Sequence, residues 1–192
     1  MLYTVSLYLH IVGALVMFFA VGIEWLCLVN LRKSGTRESI LLWLNNFSIL
    51  KKLFAVSFFL LLIPGIYMMT EIWVDAAWAI LGIIGLLSLS ISGSVFSGKK
   101  MIDIKKKAAH GETEFPLSKL SAKVRDNYFW NSYLIRAFAA LGIVFIMTFK
   151  TGFLDSIIVL AASVLIGYAT GKVTQTSELQ QKAEIKEESV LQ

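Results

Sequence analysis

Five apolar runs, each near the length that crosses the hydrocarbon core of a bilayer, constrain this chain more than any motif it carries. They lie at about Leu2–Leu31, Leu53–Trp73, Ala76–Phe96, Tyr128–Phe149 and Phe153–Tyr168, against the ~20 residues that a transmembrane helix needs. Of the 192 residues 57% are hydrophobic and 16% charged, and the mean hydropathy is +0.72. A soluble domain with a polar surface is excluded by these values. The predicted fold is all-α, a polytopic membrane helix bundle with five transmembrane helices in one domain, residues 1–173, followed by a polar cytoplasmic tail, residues 174–192. The first run is read as a retained helix, not a cleaved signal peptide. Its start lacks a basic region, and Glu24 and Trp25 stand where small cleavage-site residues would be.

Charge orients the bundle. Sixteen of the 18 Lys and Arg residues fall in segments 32–52 and 97–127 and at Lys172, Lys182 and Lys186, while the opposite side has only Lys150 and Arg136 lies within a span. By the positive-inside rule the N-terminus is outside and the C-terminus cytoplasmic, as in a multi-pass protein of the bacterial inner membrane. The net charge of +5 then points to anionic lipid head groups on the cytoplasmic face as partners, with no nucleic acid implied. Cys27 is the sole cysteine, so no internal disulfide forms.

Between the spans, residues 39–50 mix apolar side chains with Asn45 and Asn46 between cations. An interfacial helix on the cytoplasmic leaflet is expected there, in preference to a bent continuation of helix 2. Pro64–Gly65 predicts a kink in helix 2. Helix 3 carries Gly82 and Gly93 among serines, small residues that let helices approach closely, and is expected to be central. From Lys99 a helical pattern runs to Gly111, and Pro116 suits the first turn of a helix continuing unbroken into the fourth span. The result is a cytoplasmic helical hairpin with His110 at its exposed tip.

The candidate functional residues begin on helix 1. His10, Met17 and Glu24 follow one another at intervals of seven, which puts them within roughly 40° of one stripe beside Gly13, Ala14 and Ala20. Gly13 and Met17, with Gly82 and Gly93, form the predicted packing face. Glu24 lies roughly 10 Å inside the cytoplasmic end of helix 1, the depth expected of Arg136 on the antiparallel fourth span. A buried ion pair is therefore predicted, since an unpaired charge there is expensive. His10 is the only intramembrane histidine, and with a thioether from Met68, Met69 or Met147 it is a candidate ligand for haem b or copper in the outer half. Motifs for zinc, phosphate, nucleotide or nucleophilic chemistry are absent from the sequence.

Leu9-His10-Ile11 followed by Gly13, the basic approach to helix 2 with its Pro64–Gly65, and a fourth span carrying Arg136 and ending Phe149-Lys150 together resemble a superfamily of small bacterial integral membrane proteins. It includes the copper-resistance CopD domain, the protoporphyrinogen oxidase HemJ and, most similar, an allied family of membrane proteins of unknown function. The resemblance implies that His10 corresponds to the first-helix histidine those families use for haem or copper. The chain departs from it in two places: helix 3 has no histidine, Gly93 standing there with its serines, and Lys150 is followed by Thr151 instead of proline. The expected function is that of a small integral membrane protein of transport or accessory type without enzymatic chemistry of its own. The alternatives are a haem- or copper-binding redox protein using His10, or a HemJ-like oxidase. A homo-oligomer or a larger membrane complex stays open as its setting.

Overall fold

A computed structural model describes residues 1–73, 76–109 and 115–190, with side chains described through residue 175 apart from 95–97. Among these residues every regular element is helical. In chain order they are α1 (Leu2–Lys33), α2 (Arg37–Ile72), α3 (Ala77–Ser92), a π-helical segment (Gly93–Gly98), α4 (Lys99–Ala109), α5 (Leu117–Val124), α6 (Asn127–Phe149) and α7 (Phe153–Val190). Four stretches are long and apolar enough to cross a membrane: Leu2–Lys33, Arg37–Ile72, Leu117–Phe149 and Phe153–Gln175. The 16 residues of α3 span about 24 Å, and only together with the π segment do they approach a ~30 Å hydrocarbon core. The molecule has the helices of a multi-pass membrane protein.

The bundle starts from an antiparallel pair. After Lys33 the Ser34 hydroxyl donates to the Asn30 carbonyl at 3.0 Å, and Thr36 opens α2 by accepting from the Ser39 amide at 3.3 Å, so two short polar side chains turn the chain within three residues. Helices α1 and α2 then pack along their lengths. A Cβ built on Gly13 would stand 2.9 Å from Leu60 Cβ and 3.0 Å from the Leu60 carbonyl carbon, which is the close approach a small residue permits.

No separate interfacial helix forms over residues 39–50. Helix α2 runs without a break for 36 residues, and Asn45 and Asn46 sit within it. Ile40, Leu44, Phe47 and Leu50 are buried, and the same stripe continues through Ser57, Leu61, Pro64 and Met68. Their apolar face is thus covered by protein instead of lipid head groups. The cover is a core cluster that joins Leu28 and Leu31 of α1 to Met101 and Ile104 of α4, Leu120 of α5 and Trp130 of α6.

Two further expectations are corrected in the same region. The helix from Pro116 does not continue into the fourth span: α5 ends at Val124 and Asp126 starts a new helix, its carboxylate accepting from the Tyr128 amide at 3.0 Å. Aspartate at that position caps the new helix better than it would serve inside a continuous one. Helix α3 is at an edge instead of the centre, with only Ala79 and Gly82 buried while Ile80, Ile84 and Ile91 are exposed. The central position belongs to α6, which buries nine residues from Phe129 to Ile146 and meets α1, α3 and α7.

The hairpin of α4 and α5 is fastened to the start of α2 by Arg37. Its guanidinium donates to the carbonyls of Lys107 and Ala108, at 3.2 and 3.0 Å, and of Phe115, at 2.5 Å. A cation thereby meets the carbonyl end of α4. The expected cap at Gly111 and the tip histidine His110 lie outside the described residues. The stretch read as a separate tail is helical through Val190, continuous with α7.

Candidate functional site

The charged pair between α1 and α6 is the centre of the site. Arg136 Nη2 donates to Glu24 Oε1 at 2.6 Å, and the two side chains are only 16% and 8% exposed. Arg136 Nε donates to the Ser132 carbonyl at 3.1 Å, one turn back on α6, and this aims the guanidinium. Tyr133 donates from its hydroxyl to the Val21 carbonyl at 3.2 Å, tying the same two helices beside the pair. Gly93, expected to serve helix packing, makes room for the guanidinium: a Cβ there would lie 3.0 Å from Arg136 Nη1.

A cavity of about 370 Å³ opens against this pair between α1, α2, α3, the π segment, α4 and α6. Its wall includes Met17, Glu24, Arg136 and Tyr133, an apolar side made by Phe54, Phe58, Leu86 and Leu89, and a polar end with Lys51, Ser90, Gly93, Ser94 and Gly98. Lys51, Phe59 and Ser94 among the lining residues are exposed, so the cavity is open on the α2–α3 side. The π segment lies along it, a rare geometry that recurs at functional sites. Two of the hydroxyls here are already used: Ser57 donates to Phe54 and Ser94 to Ser90, each within its own helix.

His10 is elsewhere. Its Nδ1–H donates to the Leu61 carbonyl at 2.9 Å, and the ring lies over Gly65, whose Cβ would meet His10 Cε1 at 3.2 Å. Pro64 has no backbone donor and loosens the turn before it. The imidazole bonds the backbone in the turn before Pro64, and the glycine after the proline leaves space for the ring. Met68 is buried on the same stripe of α2, Met69 is half-buried next to it, and the methyl end of Met147 sits against Gly82. None of His10, Met68, Met69 or Met147 lines the cavity. Among the described residues no group of three or more His, Cys, Asp or Glu could hold a metal ion. His10 and these methionines thus stand apart from the cavity, and Nδ1 of the imidazole is engaged with backbone.

No family model, curated protein or solved structure matches this chain. The site rests on its geometry alone.

Counting along the sequence puts Glu24 and Arg136 at one depth, and the structure brings them into contact. Sequence reasoning missed Lys51, read only as a loop cation, and the part played by Gly98. A Cβ on Gly98 would lie 3.7 Å from Lys51 Nζ. The available signal was a pair of glycines five residues apart at the end of a serine-rich span, facing a cation at the start of another.

Proposed function

We propose that this chain is a small integral membrane protein of transport or accessory type, without enzymatic chemistry of its own, whose working element is the cavity at the Glu24–Arg136 pair. In this reading five helices cross the bacterial inner membrane, α3 doing so with the help of the π segment. The cation-rich ends of α1, α2 and the α4–α5 hairpin face the cytoplasm. The observation that carries it is the cavity itself: roughly 300 Å³ is where ligand pockets begin, and charged groups inside a membrane protein are functional candidates by default. Its polar groups suit holding charge. The guanidinium, the ammonium and a carboxylate already bonded to the guanidinium supply no activated nucleophile with its base.

Native mass spectrometry of the full-length protein released from native lipid particles tests this. Wild-type protein is expected to retain a small-molecule mass that Ser90→Leu, which fills the cavity, does not. The same mass on both proteins, or none on the wild type, rejects the cavity as the working element.

A further inference from the structure

Two cations from different helices converge on one turn of π-helix. Arg136 reaches Gly93 from α6 and Lys51 reaches Gly98 from α2, and a Cβ on Gly98 would lie 3.6 Å from the Gly93 carbonyl oxygen. Both glycines are therefore on the side of the segment that faces the cavity, and both cations line it. Of the two cations, Arg136 is the one bonded to a carboxylate, that of Glu24. Among the described residues Lys51 has no ion pair. The polar end of the cavity thus carries one positive charge more than its carboxylate balances.

The other end is apolar. From Lys51 to Phe58 the wall runs about 10 Å along α2, and Phe54, Phe58, Leu86 and Leu89 line it. The volume of about 370 Å³ holds one short chain and not the two chains of a phospholipid. Exposed lining residues, Lys51 and Ser94 at the polar end and Phe59 at the apolar end, open it sideways between α2 and α3.

We propose, resting on the reading that the cavity is the working element, that it binds a single-chain amphipathic monoanion, a medium-chain fatty carboxylate. The carboxylate lies between Lys51 Nζ and Arg136 Nη1 and the chain lies along Phe54, Phe58, Leu86 and Leu89. The entering anion supplies the charge that Glu24 leaves unbalanced, so the Glu24–Arg136 bond is kept. Head-group charge sets affinity, and the apolar wall sets chain length.

The probe is decanoic acid carrying a terminal diazirine, applied to full-length protein in nanodiscs of zwitterionic lipid, with photolabelled residues read by mass spectrometry. Labelling is expected at Phe54, Phe58, Leu86 or Leu89. It should fall at least tenfold for the matching diazirine alcohol and for Lys51→Gln, and persist in Lys51→Arg. Lys51 is exposed, and an unchanged melting temperature of Lys51→Gln would show that the loss is one of binding. Equal labelling by acid and alcohol overturns the anion proposal and leaves the cavity reading standing. Suppression by acetate at the concentration of the probe also overturns it, in favour of a small anion. Labelling of none of the four residues by either probe removes both readings.

Discussion

Arg136 Nη2 stands 2.6 Å from Glu24 Oε1, joining α6 to α1 across 112 residues of sequence. A carboxylate and a guanidinium at this depth are tolerable only together, because each offsets the desolvation of the other.

The pair predicts non-additive mutations. Glu24→Gln and Arg136→Gln should each destabilise the protein by about 3–5 kcal/mol, since each leaves one buried charge alone. The double variant should recover part of that loss. Thermal unfolding in detergent measures all three, and strictly additive losses would rule out the coupling.

Gly13→Ala should destabilise by about 1–3 kcal/mol, the usual range for overpacking. The atoms that a new methyl would meet include backbone of Leu60 and Leu61, both at 3.0 Å, so a rotamer change cannot relieve it. Gly22→Ala is the control, with nothing within 4 Å of its Cβ position. Equal melting temperatures for the two variants would contradict this crossing.

His10→Ala should cost about 0.5–1.5 kcal/mol by removing the hydrogen bond to the Leu61 carbonyl. Protein produced with haem and copper available should give the same visible spectrum with or without this substitution. A Soret or copper band that His10→Ala removes would instead establish His10 as a ligand.

Topology is checked by single cysteines in a Cys27→Ala background. Lys106→Cys should be labelled only from the cytoplasmic side and Trp73→Cys only from outside. The ends of α2 and α6 share a side in this scheme, and Lys150 Nζ lies 4.0 Å from the centre of a Trp73 ring. Labelling of position 106 from outside would invert the orientation.

The hairpin carries an exposed bridge with a defined pH window. Lys107 Nζ is 2.5 Å from Asp103 Oδ2, one helical turn away, with Lys123 at 3.9 Å. The hydrogen bond from Lys107 holds the Asp103 carboxyl below its ordinary range, and the same bond raises the Lys107 ammonium. The depressed carboxyl stabilises the fold above its unfolded-state value, and the effect is lost as pH falls through the lower folded value. The raised ammonium stabilises below its ordinary value, and that effect is lost as pH rises through the folded one. The melting-temperature difference between wild type and Asp103→Asn should therefore be greatest near neutral pH, shrink at both extremes and diminish in high salt. A difference independent of pH would mean that the bridge contributes nothing.

Sequence alone determined the helical class, since only helices or closed barrels satisfy backbone groups in lipid and runs of this length suit helices. It also determined the common depth of Glu24 and Arg136, because rise per residue is a local quantity. The tertiary structure decided what covers each apolar face. Residues 39–50 look alike whether they lie on lipid or on protein, and only the packing of Leu44 and Phe47 against the hairpin makes them part of α2. The same holds for the break at Asp126, where a side chain suited to a cap outweighs a helical pattern that continues past it. The convergence of Lys51 and Arg136 on Gly98 and Gly93 depends on a π turn between α3 and α4, and a hydrogen-bond register one residue wider leaves no mark in composition or period.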